Sequence, residues 1–234
     1  MRKIIISSMF CVIIIWITYP IYEDFVNHKT FSNTDVWGIR ELSFTKHITV
    51  LTKEILGTIP KIPYIDSNKD KEEDKIRKEL DEIKYEISTC SNYTLNRIKE
   101  EISLDGILNR FLYTSLDKEI INNVINIHVN PLIMTIKKTF NRVRPYKLDE
   151  TIIPLIDKQP SPSYPSGHAI QSYFIAFLLG EKEPLNKTHY IDSAHDISIN
   201  RMISGVNYRS DIEYGKMIAN KIYAFFSESN NPLL

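Results

Sequence analysis

Apolar residues return at helical spacing along most of this chain, and no strand–turn–strand signal repeats. From Val36 to Leu56 the period is helical, and Gly57 with Pro60 and Pro63 ends it. Ile59–Asp70 reads as a linker or loop. Lys71–Ile87 then places Ile76, Leu80, Ile83 and Ile87 on one stripe with charges elsewhere, the pattern of a helix–helix contact face. Asn92–Leu104 and Leu116–Phe140 predict further helices, the second broken or restarted at Asn130–Pro131 because proline has no N–H for the helix ladder. Four prolines make Tyr146–Pro165 irregular. Three helices follow, at His168–Leu179, Thr188–Ser204 and Ser210–Phe226. The fold class these patterns predict is all-α.

The N-terminus is of another kind. Ile4–Tyr22 is a charge-free, mostly apolar run of 19 residues between Arg2–Lys3 and Glu23–Asp24. At about 1.5 Å per residue it matches the hydrocarbon thickness of a bilayer. The flanking charges would leave the N-terminus in the cytoplasm and the rest of the chain on the extracellular, periplasmic or luminal side. A cleaved signal peptide, and hence secretion, is the alternative; no small-x-small cleavage site stands near Tyr19–Ile21. The organisation predicted is therefore an anchor or signal segment over 1–22, an N-terminal helical part over 23–115, and a motif-bearing part of the same domain over 116–234.

Composition narrows the chemistry. With 234 residues the chain can bury one core of ordinary size, and its 29 basic and 29 acidic residues cancel. A neutral chain has no global field to attract nucleic acid, so no nucleic-acid partner is expected. Two cysteines, Cys11 and Cys90, cannot build a disulfide framework, and no Cys/His cluster has zinc spacing, so no metal site is expected. The sequence does not specify an oligomeric state.

The candidate chemistry lies in three segments of the second half. Lys137 and Arg144 stand seven residues apart, so a helix running into the Arg144–Pro145 corner can present both cations to one site. A solvated basic face is the alternative for that pair. Ser166 and Gly167 precede an apolar helix, where backbone N–H groups can receive an anion, and His168 opens that helix as a candidate proton donor. An ordinary serine cap with a solvated histidine explains the same tetrapeptide. Arg201 could fork two donors onto one phosphate, or be a surface helix arginine, and Asp211 could be a first-turn carboxylate.

In order and spacing, Lys137, Arg144–Pro145, Pro165–Ser166–Gly167–His168, Arg201 and Asp211 resemble the three motifs of the superfamily that unites type 2 phosphatidic acid phosphatases, bacterial class A acid phosphatases and vanadium-dependent haloperoxidases. Asn141–Arg–Val–Arg–Pro–Tyr146 and Pro162–Ser–Tyr–Pro–Ser–Gly–His168 look like the soluble, haloperoxidase-like branch. The similarity covers about Ile120–Phe226. The resemblance implies a helical bundle of the acid phosphatase and vanadium haloperoxidase type with its site at one end. It also implies roles: Lys137, Arg144, Ser166, Gly167 and Arg201 would bind phosphate oxygens, His168 would be the general acid, and Asp211 would orient the nucleophile.

That nucleophile is missing. The family's last motif is Arg, five residues, His, three residues, Asp; here Asn207 stands at the histidine position. A carboxamide nitrogen has its lone pair delocalised into the carbonyl and donates hydrogen bonds instead of attacking. Removing the nucleophile of a covalent enzyme costs on the order of 10⁶-fold in turnover, whereas cations can still hold phosphate. No other histidine matches a family position: His195 and His189 should face elsewhere, and His28, His47 and His128 precede the first motif. The expected function is thus a membrane-anchored phosphatidic acid phosphatase-like domain that binds phosphate or phosphate esters with impaired catalysis. The alternative is an active phosphoric-ester hydrolase, an acid or lipid phosphatase, using water held at Asn207 and His168. A vanadium haloperoxidase ranks last. No cofactor is expected, since vanadate without an axial nitrogen would be held only by charge and hydrogen bonds.

Overall fold

A computed structural model describes residues 41–60, 69–111 and 118–228, and among these every regular element is helical. The 4–22 run and residues 23–40 lie outside the described residues. Among those described, no helix is long and apolar enough to cross a membrane.

The helices are α1 (Glu41–Thr58), α2 (Lys69–Thr89), α3 (Asn92–Glu100), α4 (Leu104–Asn109), α5 (Lys118–Val124), α6 (Asn130–Phe140), α7 (Pro145–Leu148), α8 (Gly167–Lys182), α9 (Lys187–Ile203) and α10 (Arg209–Glu228). Most ends fall within two residues of the sequence expectation, the scatter usual for fraying termini. Three expectations need correction. Helix α6 ends at Phe140 with Asn141 left-handed, so Lys137 and Arg144 do not share a helix; Arg144 instead precedes α7, a short helix inside the stretch expected to be irregular. The single helix predicted over Asn92–Leu104 ends at Glu100, because Ser103 caps a new helix by accepting the Gly106 N–H at 3.1 Å. The break expected at Asn130–Pro131 is instead a π-helical turn, Ile125–Val129, which joins α5 to α6. The Asn130 N–H reaches back five residues to the Ile125 carbonyl, and the widened turn makes room for a proline that cannot donate.

The core is centred on α8. Its sequence is apolar nearly all round, as a fully buried helix requires, with Ile170, Phe174, Ile175 and Ala176 at zero exposure. It packs against both α9 and α10. Gly215 permits the second of these contacts: a Cβ there would lie 2.8 Å from Ala169 Cβ and 3.0 Å from the Ser166 carbonyl oxygen. The start of α10 is thereby drawn against the start of α8, and the Ser166 N–H donates to the Asp211 carbonyl at 2.9 Å. A second glycine ends α9: Gly205 holds φ +78°, a left-handed conformation that costs glycine little. Helix α6 ends similarly at Asn141, φ 49°, a residue type that tolerates that region.

Helix α2 contributes more than its apolar stripe. Ile83 is fully buried, but two acidic residues of the same helix also dock. Glu79 accepts the Ser210 N–H at 2.7 Å and so caps the N-terminus of α10, where a carboxylate is favoured by the helix dipole. Glu82 holds the Arg209 guanidinium by both carboxylate oxygens, with Arg209 Nε at 2.8 and 3.0 Å.

Candidate functional site

The three turns that end α6, open α8 and end α9 bring Lys137, Arg144, Ser166, Gly167, His168, Arg201, Asn207 and Asp211 to one end of the bundle. Lys137, Arg144, Arg201, Asn207 and Asp211 are buried, none more than 5% exposed. The solvated readings of the two arginines and the lysine are therefore excluded. The three cations are close enough to act on one another. Burial first, then Arg144 and Arg201, push the Lys137 ammonium down to about 7, against a partial offset from Asp211. Burial and Arg144 bring Arg201 down to about 10. Burial also lowers Arg144.

The donors of these cations are not equally committed. Lys137 Nζ donates to the carbonyls of Pro162 at 2.7 Å and Ser163 at 3.1 Å, which leaves one hydrogen of its three. Arg144 donates from Nε to the Ser161 carbonyl at 2.9 Å, and from Nη1 to the Val206 carbonyl at 2.5 Å and Asn207 Oδ1 at 3.2 Å. Its Nη2 reaches Ser161 Oγ at 3.3 Å, so four of five donors are engaged. Arg201 is different: its Nε and Nη1 are buried and have no hydrogen-bond partner. Leaving such donors unpaired inside a protein is costly, and an oxyanion is the chemical complement they lack. The three-cation cluster expected from sequence is assembled, but its unspent donors are concentrated on Arg201.

The start of α8 adds to the same site. Ser166 caps the helix by accepting the Ala169 N–H at 3.3 Å, and its own N–H is taken by Asp211. The N–H groups of Gly167 and His168, in the first helical turn, have no intrahelical acceptor and are therefore the main-chain donors available to an anion. Gly167 is not forced by packing: a Cβ there would make ordinary contact with Ile133 Cγ2 at 3.5 Å and Lys137 Cε at 3.8 Å. It would, however, fill space beside the lysine stem.

His168 is half-buried, with its Nε2 at 3.1 Å from the carbonyl oxygens of both Glu101 and Ile102. Burial, followed by Arg201, lowers its pKa well below the ordinary imidazole value, so without a ligand the ring is neutral at pH 7. An anion in the site would act in the opposite sense.

The Asn207–Asp211 side is a closed network. Asn207 Nδ2 donates to the Ser163 carbonyl at 2.8 Å and to Asp211 Oδ2 at 3.0 Å, while its Oδ1 accepts from Arg144. Asp211, fully buried, also accepts the Tyr208 N–H at 2.9 Å and Arg142 Nη1 at 2.7 Å. Arg142 in turn reaches Ser210 Oγ at 2.8 Å and Glu79 Oε2 at 3.1 Å, and lies over the Tyr208 ring at 3.8 Å.

Arg142, Glu79 and Glu101 received no role from the sequence. Arg142 stands inside a motif segment, which was a usable signal. Glu79 and Glu101 lie in the N-terminal part and bear no local mark. Two histidines excluded from sequence are placed accordingly: His195 is exposed and pairs its Nδ1 with Tyr173 OH at 3.2 Å, and His189 is exposed. Among the described residues no group of His, Cys, Asp and Glu could hold a metal ion.

Residues 119–228 match the family model of the PAP2 superfamily. The matched segment contains all three motifs on which the resemblance rests. Among solved structures the chain is similar to a bacterial vanadium-dependent iodoperoxidase, with 17% identity, 73% of this chain and 51% of that one covered, and a TM-score of 0.49. It is also similar to a transmembrane PAP2-type phosphatidylglycerolphosphate phosphatase from Bacillus subtilis, with 20% identity, 81% and 96% coverage, and a TM-score of 0.46. The chain thus spans about half the length of the iodoperoxidase. A comparison with curated protein sequences gives no match.

Proposed function

We propose that this chain is a phosphate- or phosphate-ester-binding member of the PAP2 superfamily in which hydrolysis is lost or strongly slowed. It is held by residues 4–22 on the extracellular, periplasmic or luminal face of a membrane. The observation that carries the reading is a contrast within one site. Arg201 offers buried, unpartnered Nε–H and Nη1–H groups, whereas Asn207, at the nucleophile position, has both ends of its carboxamide engaged. Charge-assisted donors of the first kind bind phosphate oxygens. A carboxamide of the second kind neither attacks phosphorus nor takes a proton from water.

The roles follow from the donors present. Arg201, the remaining hydrogen of Lys137, the remaining Nη2 hydrogen of Arg144 and the first-turn N–H groups of α8 would share the ligand's oxygens. His168 would sit beside its ester oxygen as the available proton donor. Asp211 orients Asn207 as it would orient a histidine. Vanadate does not fit this donor set as a bound cofactor: Asn207 Nδ2 is a donor committed to Ser163 and Asp211 and would offer a metal no nitrogen lone pair.

The test is hydrolysis of an aryl phosphate by the full chain and by Asn207→His, beside phosphate binding by both. The expected outcome is binding by both and turnover only by the variant. Turnover by the natural chain at ordinary enzyme rates, about 1–10³ s⁻¹, would overturn the reading in favour of direct attack by water.

A further inference from the structure

The corner between α3 and α4 touches the site from outside the family-matched segment. Glu101 is fully buried, and its Oε2 accepts from Asn200 Nδ2 at 2.7 Å. Its Oε1 lies 3.2 Å from Arg110 Nε, close enough for an ion pair although the angle falls short of a hydrogen bond. Asn200 is the residue before Arg201 on α9. One side chain therefore ties this corner to the helix that presents the unpartnered arginine. The main chain of the same corner holds the other element of the site, because the Glu101 and Ile102 carbonyl oxygens both lie 3.1 Å from His168 Nε2.

Carbonyl oxygens only accept hydrogen bonds, so the ring nitrogen between two of them carries a hydrogen. The other nitrogen, Nδ1, is then bare in the neutral ring and is the atom that gains or loses the titrating proton. We infer that the Glu101–Ile102 corner is a positioning device for the site: it fixes His168 as the Nε2–H tautomer, makes Nδ1 the working nitrogen, and is itself anchored through the Glu101 carboxylate on Asn200. Glu101 is a positioning residue here, since it acts through His168 and Asn200. The inference concerns the ring in the ligand-free protein and does not depend on phosphate binding.

The tautomer is read directly. The full chain with ¹⁵N-labelled histidine is examined by two-bond ¹H–¹⁵N correlation at pH 7, and His168→Asn identifies the His168 signal by its disappearance. The expected result is a protonated Nε2 and a bare Nδ1 in the natural protein. Glu101→Gln, which keeps an oxygen acceptor for Asn200, retains that pattern. Glu101→Ala, which removes it, loses the single tautomer and gives averaged nitrogen shifts, an effect that a merely stabilising glutamate would not produce. An Nδ1–H tautomer in the natural protein overturns the inference whether or not either variant folds. An unaltered His168 pattern in folded Glu101→Ala overturns the part assigned to the carboxylate.

Discussion

The two sides of the site treat their polar atoms in opposite ways. On the α9 side, Arg201 is 2% exposed and still keeps two donor nitrogens without a partner. On the α10 side, Asp211 is fully buried, accepts from Asn207, Tyr208 and Arg142, and gives its carbonyl to Ser166. A buried group without a partner carries a desolvation cost that folding alone does not explain, and a ligand relieves it. A fully paired network needs no ligand and serves to hold shape. On the function proposed above, binding belongs to one side and rigidity to the other. Asn207 falls on the rigid side, where it supplies a hydrogen bond to Asp211 and, on the proposed reading, lacks the chemistry of an imidazole.

The sharpest way to break this division is to open the rigid side. Asp211→Ala leaves Arg142 with Glu79 but removes the acceptor of three donors, and such a change in a buried ion-pair network costs about 3–5 kcal/mol. Urea unfolding should record that loss; unchanged stability would show that the network does not hold the site. Arg201→Met tests the other side. Two charge-assisted hydrogen bonds at about 1.5–3 kcal/mol each predict a drop in phosphate affinity on the order of 10²-fold or more by calorimetry. The ligand-free variant should lose little stability, because the Nε and Nη1 donors it removes have no hydrogen-bond partner and only the charge on buried Glu101 loses part of its compensation. A large loss of stability would assign Arg201 to structure.

Lys137 gives a pH signature. Its folded value, about 7, lies below the ordinary 10.5, so the ammonium is charged below pH 7 and loses its proton above it. An anion arriving above pH 7 must bring that proton back. Affinity for sulfate, which does not itself titrate in this range, should fall by up to ~10-fold per pH unit above 7. The same shift makes stability rise between pH 7 and 10.5, where the unfolded chain binds the extra proton. Lys137→Met should flatten both profiles, and a slope that persists in it would point to another group. The smallest effect is expected at Glu79→Gln, which weakens the cap on α10 and the pairing with Arg142 by about 1 kcal/mol. Phosphate affinity should hold within about twofold, since the change lies behind the rigid side; a larger fall would join the two sides into one unit.

Much of this was legible because it is local. The stripe Ile76, Leu80, Ile83 and Ile87, the apolar run from Ile170 to Leu179, and the ends of α8, α9 and α10 follow from hydrophobic period and capping residues, which act within a few positions. The motif spacing named Lys137, Arg144, Arg201 and Asp211 as candidates that the structure brings together, and the identity of residue 207 carries the proposal of impaired catalysis. Where local reasoning failed, at the break before Ser103 and the π-helical turn ahead of Pro131, the deciding bonds were those of single backbone groups that period does not encode.

Tertiary structure decided how the donors are spent. The carbonyls that engage Lys137 lie 25 and 26 residues away, those that engage Arg144 lie 17 and 62 away, and the corner that fixes His168 lies 66 and 67 away. A sequence lists donors and acceptors, but which of them meet depends on turns such as Asn141 and Gly205 that bring distant segments to one end of the bundle. Motif and spacing could therefore gather three cations in advance, and only packing could determine that Arg201 among them was left with donors for an anion.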